Sequence, residues 1–597
     1  MAACAVAAAA VVAGCAAVPT SGSVRQAGAG QIGSGQEQDY SQPIPVGPGP
    51  GWNATQVVSG FLAASASFAH DHAVAREYLD RSAQRSWRPG WAVTVVSSLK
   101  TSPATIVSRP LPGQPDDQPE QFARVTATGL PVATLTGTGQ YLVSSGSNSE
   151  SYNFYLIKIN SQWRIVDLPT SQLLLTQADF QHVYQPRNLY FLTQSGRTLV
   201  PDPVFVPQQA TNTELATGLV TALLARPRKG WLSGAAATAF PPNARLTGQV
   251  RINGPNATVD LGGKSGKALV VGQDRLAQMA AQLVWTLGSG PIQSVALQLN
   301  GRTMQIMGSQ YQLMQAFHQW VPAQPAGSSL YFIGSNGIVG ELSGSGQESP
   351  GRVGAVPGAA GAAGGPPLGS IAVSPDRRWI AGISPGAGRV YIGELSRGAA
   401  LQQWRPPGGS CCTSVSWDGQ DDLWIAAGGT VWRLSPGTGY SPTPLVPVSV
   451  APGDEVTEFR VAPDGVRAAM IVRGASGTQV QLAAITRSGT TAVVGQPVTI
   501  GSSIPDPESL SWFGPGDVIV LYGTPSGPQL DEVPLNGGQP TLIPTTDGYP
   551  VSVTATSPMD SASDIAVGLS DGKIMISANQ GAFEPARAAG LAPVYPG

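Results

Sequence analysis

A short pattern returns through the second half of the chain. Ser370 to Ala381 (SIAVSPDRRWIA) reads as a strand, a Pro-Asp turn and a second strand. The unit returns at Ser414 to Gly419 (SVSWDG) before Leu423, Trp424 and Ile425, and at Phe459 to Gly465 (FRVAPDG). Further copies are Leu510 to Asp517 (LSWFGPGD) and, more loosely, Val551 to Pro558 (VSVTATSP). From Asp376 to Asp418 to Asp464 to Asp517 the steps are 42, 46 and 53 residues. A unit of that length holds four short strands, and such units bury their faces by stacking in a ring. Residues 328–597, at roughly 45 per unit, make a β-propeller of about six blades. Strands at Leu330 to Ile333 and Ile338 to Leu342 precede the first copy and are expected to complete the last blade, closing the ring. Ser343 to Gly369 is almost wholly Gly, Ala, Ser and Pro, so a mobile loop is expected over 343–369.

The recurring carboxylates Asp376, Asp418, Asp464 and Asp517 raise the question of chemistry in a central channel. They recur at turn positions, where Asp is selected because its side chain bonds the backbone two residues on. The four histidines, His70, His72, His182 and His318, are scattered apart from the first pair. His70-Asp71-His72 offers two imidazoles and a carboxylate, but on a helix positions i and i+2 point apart. It is read as a solvated loop between two helices. Cys411-Cys412 admits a strained vicinal disulfide outside the cytoplasm or two small residues packed before a strand. No catalytic residue, cofactor site or metal site is assigned.

Two mixed units precede the propeller. In 52–170, Val57, Val58, Phe61, Leu62, Ser65, Phe68 and Ala69 recur at helical spacing, and Val74, Tyr78 and Leu79 mark a second helix. Strands follow at Trp91 to Ser97, Ala104 to Ser108, Phe122 to Thr128, Gln140 to Ser145, Tyr152 to Ile159 and Trp163 to Asp167. Helices followed by a run of strands imply an α+β domain with helices on one face of a curved sheet, an order similar to the cystatin or nuclear-transport-factor-like (NTF2-like) cone. In 189–321, Thr211 with Glu214 is a capping-box signature opening a helix through Leu224. Strands at Leu246 to Ile252 and Ala257 to Leu261 precede a second helix from Asp274. Asn300-Gly301 then signals a type I′ hairpin joining Ile292 to Leu299 with Thr303 to Ile306. The unit over 189–321 and the propeller are each expected to fold alone.

At the front, an apolar run from Met1 ends in Val12-Ala-Gly-Cys15. It resembles the lipobox of bacterial lipoproteins, with the signal, 1–14, cut between Gly14 and Cys15 and the sulfur of Cys15 carrying diacylglycerol. Two or more acyl chains hold a protein firmly in a membrane, whereas the run is too short to span one, which takes roughly 20 apolar residues. No Lys or Arg precedes Arg25, so the natural start is expected upstream of Met1. Residues 15–51, rich in Ser, Gly, Gln and Pro, are the lipidated cysteine and a flexible linker. Charged residues make up only 12% of the chain and the formal net charge is -2, so nothing attracts nucleic acid electrostatically.

Leu219 to Leu224 (LVTALL) with Arg226-Pro227, Ala257 to Leu261 (ATVDL), Leu283 to Leu287 (LVWTL) and Val295 to Gly301 (VALQLNG) resemble the GerMN module of bacterial envelope proteins. With a lipobox, an N-terminal domain and a propeller around it, the chain resembles the actinobacterial lipoprotein LpqB family. That resemblance implies a multidomain α+β plus all-β protein: an α+β domain, a GerMN α/β domain and a propeller. It also implies a non-enzymatic accessory protein, anchored through palmitate-type chains to the extracytoplasmic face of the cell membrane. Its partner would be the extracytoplasmic domain of an MtrB-like sensor histidine kinase of the MtrAB two-component system, in cell-envelope and division control. Two alternatives stand beside this reading: a glycan- or peptidoglycan-binding envelope lipoprotein, for which the 13 Trp supply aromatic surface, and a propeller hydrolase with carboxylates converging at the channel mouth.

Overall fold

The structure, a computed structural model, describes residues 45–597 apart from short internal segments, the longest being 110–119, 322–328, 344–351, 441–445 and 557–563. The signal, Gly14, Cys15 and the linker as far as residue 44 lie outside the described residues. Pro45–Gly597 forms one compact unit.

The N-terminal domain opens on helix α1, Ala54–Ser65, whose start is fixed by a capping box. The Asn53 side chain accepts from the Gln56 amide and the Gln56 side chain from the Asn53 amide, each at 2.9 Å. Val57, Val58 and Phe61 point into the core, as the spacing predicts. The helix stops at Ser65, before Phe68 and Ala69, and two short helices follow, α2 (Ala73–Glu77) and α3 (Arg81–Ser86). The strands divide between two sheets instead of continuing as one curved sheet. Glu120–Gly129 and Glu150–Ile159 lie at the centre of the first, while Pro131–Leu135, Val93–Val96 and Leu173–Thr176 build the second. The chain crosses between them at 129–131, where a Cβ on Gly129 would meet the Ser98 carbonyl at 2.6 Å. The end of the linker is folded onto this domain: the Tyr78 hydroxyl donates to the Val46 carbonyl at 2.6 Å.

Helix α4 (Gln177–Val183) leads into a hairpin of Tyr184–Thr193 and Leu199–Pro207 that opens the second unit. Helix α5 (Asn212–Ala225) begins as the Thr211-Glu214 pair predicts, with the Glu214 amide donating to the Thr211 hydroxyl at 3.2 Å. The expected strand over Leu246 to Ile252 is broken into Ala244–Leu246 and Arg251–Asn253 around Gly248, whose φ is +86°. Asn256–Gly263 and Ser294–Leu299 pair in parallel, so the chain between them must cross over, and helix α6 (Gln273–Leu287) makes that crossing. Leu276, Met279, Ala280, Leu283, Val284 and Leu287 of α6 are buried. Asn300 and Gly301 take φ of 54° and 78°, both left-handed as a type I′ turn requires.

Six sheets form the propeller among the described residues. Blade 1 combines Leu330–Ile333, Val339–Ser343 and Arg352–Ala355 with the C-terminal strand Leu591–Val594, so the first and last segments close the ring in one sheet. The inner strands of blades 2 to 6 are Ser370–Val373, Cys412–Trp417, Glu455–Val461, Pro507–Phe513 and Pro550–Ala555. The expected mobile loop over 343–369 is corrected in part. Arg352–Ala355 is the outermost strand of blade 1, and Val356, Ala360 and Leu368 are buried with Tyr331 and Ile371, while 344–351 lie outside the described residues. Glycine and alanine supply little drive to fold, but an open strand edge and three buried side chains suffice to order them.

The propeller and the second unit share a core. Val466 and Ala484 of blade 4 are buried among α5 and α6 residues such as Leu219 and Leu283, and Trp231 packs against this core and against that of blades 4 and 5.

Candidate functional site

The propeller channel encloses about 310 Å³ between the inner strands, and several of its polar side chains are tied into the ring, although the Ser552 hydroxyl has no partner. The Ser414 hydroxyl accepts from the Phe459 amide at 2.9 Å and Ser416 from Val461 at 3.1 Å. Ser511 accepts from Ala555 at 2.9 Å and Thr554 from Tyr595 at 3.1 Å. Each bond joins one inner strand to the next, so the sequence period is the step from blade to blade. Glu458 and Arg460 form an ion pair at 2.8 Å. Glu458 also accepts from the Leu510 amide at 2.9 Å, and Arg460 donates to the Val415 carbonyl at 3.0 Å. Burial pushes the Glu458 carboxyl up, against the pull of Arg460.

The recurring aspartates do not converge on that channel. Asp376, Asp418 and Asp464 each accept from the amide two residues on, Arg378 at 2.9 Å, Gln420 at 2.8 Å and Val466 at 2.8 Å, which is the turn bond that selects Asp. The structure then adds partners that no local pattern reveals. Arg487 of blade 4 reaches Asp418 and, at 2.9 Å, Asp422 of blade 3. Arg467 pairs with Asp464 at 2.7 Å, both side chains buried, and lies 4.8 Å from the Trp512 ring centre. Asp517 is the exception: it closes its hairpin opposite Phe513, and burial, with Glu532 adding to it, pushes its carboxyl up to about 8.

The solvated reading of His70-Asp71-His72 is corrected at one residue. All three have left-handed φ, 50°, 56° and 57°, and this reversal leaves His70 and Asp71 exposed while turning His72 inward at 3% exposure. Its ring packs against Phe68 and Trp87, and burial pushes its pKa down to about 4, Asp71 working against it. The vicinal disulfide of Cys411 and Cys412 is not formed: both are free thiols, Cys411 exposed and Cys412 buried. Cys412 begins a strand whose core face it joins, and successive side chains of extended backbone point to opposite sides. Burial, with Cys411 adding to it, pushes the Cys412 thiol up to about 11. No group of three metal-ligating side chains occurs among the described residues.

The roomier site is one that sequence reading missed. A cavity of about 520 Å³ opens where the N-terminal domain, the hairpin of the second unit and blade 5 meet. Tyr141, Phe180, Tyr184 and Phe205 form its aromatic wall, with Phe180 stacked on Tyr184 at 4.8 Å. Arg187, Asn188, Asp517 and Glu532 supply polar groups. The walls are held by the Tyr141 amide donating to the Asn536 carbonyl at 2.9 Å and by Gln181 donating to Gln539 at 2.9 Å. These residues lie hundreds of positions apart. The local signals, Phe180 with Tyr184 four positions on and the Thr176-Asp179 cap, fell in a stretch between the two expected units.

Three family models match the chain: "Lipoprotein LpqB, N-terminal domain" over 47–181, "Sporulation and spore germination" over 188–305, and "Lipoprotein LpqB beta-propeller domain" over 342–596. Curated relatives named Lipoprotein LpqB are similar along almost the full length. That of Thermobifida fusca is 32% identical over 98% of this chain and 97% of its own, and that of Streptomyces avermitilis 29% over 98% and 96%. That of Mycobacterium tuberculosis is 27% identical over 88% and 87%. Among solved structures, TolB from Acinetobacter baumannii is similar over 47% of this chain and 70% of its own, at 13% identity and a TM-score of 0.34.

Proposed function

The chain belongs to the LpqB lipoprotein family, and from that premise we propose that it is a lipid-anchored accessory protein that captures a sensor histidine kinase of the MtrAB type at the outer face of the cell membrane and tunes its signalling. Cys15 is the anchor in this reading, and the folded units stand off the membrane on the linker.

The observation that carries the reading is a face left open on the N-terminal domain, on which apolar side chains are interleaved with Arg124, opposite Tyr155, and Arg164, opposite Ile157. On the first sheet, Val107 lies opposite Phe122 and Phe122 opposite Ile157, with Tyr155 one strand-repeat further on the same side. Val107 is 49% and Tyr155 43% exposed. Ile159, 45% exposed, extends the face. A face of this kind on the domain nearest the anchor suits a protein partner beside the membrane. The channel's Ser414, Ser416, Ser511, Thr554, Glu458 and Arg460, by contrast, support the ring.

The test is a pull-down from membranes with the full-length tagged chain, probed for the kinase. The kinase is expected with the native chain and is lost, with folding unchanged by circular dichroism, in the variant carrying Val107→Asp and Tyr155→Asp. Replacement of Cys15 with Ala is expected to remove acyl label and release the protein from membranes. A native chain that brings down no kinase overturns the reading.

A further inference from the structure

We propose that the cavity between the N-terminal domain, the second unit and blade 5 is a binding site for a saccharide that carries a carboxylate. The inference stands on the cavity alone and is independent of kinase capture.

Two observations point to a ligand. Tyr184 is 4% exposed and lines the cavity, yet its hydroxyl has no hydrogen-bond partner. A buried hydroxyl without a partner is costly, and the residue that bears it forms part of the cavity wall. Arg187, half-buried beside it, gives one N–H to the Pro186 carbonyl at 3.1 Å, and no carboxylate pairs with it among the described residues. Burial pulls its pKa down, the mark of a guanidinium that has lost water without gaining a counter-charge. Its planar fork matches a carboxylate.

The rest of the wall decides what bears that carboxylate. Phe180 sits 5.1 Å from Phe205 and 5.0 Å from Tyr141, ring centre to ring centre, and these rings make an apolar side that suits the C–H face of a pyranose. Asp517 faces them from blade 5, and with its carboxyl pushed up to about 8 it is protonated at neutral pH and both donates and accepts, as sugar hydroxyls require. A long acyl chain needs a uniformly apolar tunnel, whereas this cavity is apolar on one side and polar on the other. At about 520 Å³ it falls in the range of small-ligand sites, roughly 300–1,000 Å³, with room for one substituted pyranose.

The probes are N-acetylmuramic acid and N-acetylglucosamine, which share the ring and differ in the lactyl carboxylate. They are titrated calorimetrically into the detergent-solubilised full-length protein. The muramic acid is expected to bind at least about ten-fold tighter, and Arg187→Gln to erase that difference while leaving the weaker sugar unaffected. Tyr184→Phe is expected to weaken both sugars several-fold while holding or raising the unfolding temperature, because it deletes an unsatisfied buried hydroxyl; a purely structural tyrosine would not split the two readouts. Failure of both sugars to bind, equal affinity for the two, or a difference between the two that survives Arg187→Gln overturns the proposal.

Discussion

His72 places an imidazole in the N-terminal core at 3% exposure, with its Nδ1 unpartnered. Its pKa is pushed down to about 4, from 6.5 in an unfolded chain. Between those values the unfolded chain binds a proton that the folded chain refuses, so stability rises with pH across the window. It is complete above pH 6.5 and is lost as pH falls toward 4, by about 3 kcal/mol at the end of the window. His72→Asn, a residue that tolerates the left-handed φ of 57°, is expected to flatten that slope, measured as urea midpoints from pH 7 to 4. An unchanged slope would assign the acid sensitivity elsewhere. The i, i+2 argument assumed a helix, and residues 70–72 are not helical. It did not reveal the burial, because three consecutive left-handed residues reverse the chain in a way no periodicity encodes.

Helices and hairpins with local signals were legible almost to the residue. The start of α5 at Thr211-Glu214, the Asn300-Gly301 turn and the Asp turns of blades 2 to 4 rest on bonds spanning two or three positions. Two elements escaped: α4, seven residues long, although Thr176-Asp179 caps it in the same way, and Arg352–Ala355, which is ordered by the blade edge it pairs with. Docking between elements offers a sharper test. Gly537 has φ of +84° and a Cβ there would lie 1.9 Å from the Tyr141 carbonyl. Gly537→Ala is expected to push the N-terminal domain off blade 5 at a cost of at least about 1 kcal/mol from the backbone conformation. Hydrogen exchange should then speed up at the Tyr141 amide, now held at 2.9 Å by Asn536, while blade amides such as Phe459 keep their protection.

Ring closure and the shared core make the described units interdependent. Leu591–Val594 is the only partner that covers the inner edge of Leu330–Ile333 among the described strands. Deleting 591–597 is expected to open the ring and lower the unfolding midpoint by far more than the roughly 2–4 °C that 1 kcal/mol makes in a domain of this size. The expectation that the second unit and the propeller each fold alone meets Val466 and Ala484 buried in one apolar cluster with residues of α5 and α6. Calorimetry of the full chain is therefore expected to show the second unit and the propeller unfolding in one transition, and two separated transitions would refute that coupling.

The repeat period, the Thr211-Glu214 cap and the hairpin turns were determined by the sequence alone, because each arises from contacts a few residues apart or from one unit copied along the chain, whereas the count of six blades came from the sheets themselves. The family resemblance rested on the same stretches. Only the tertiary structure decided that Arg487 spans two blades, that His72 is buried, that Cys411 and Cys412 face apart as free thiols, and that Tyr184, Arg187 and Asp517 line one cavity. Those features join residues as much as 333 positions apart, and what brings them together is the burial of apolar surface between units, which has no direction along the chain and so leaves no local pattern to read.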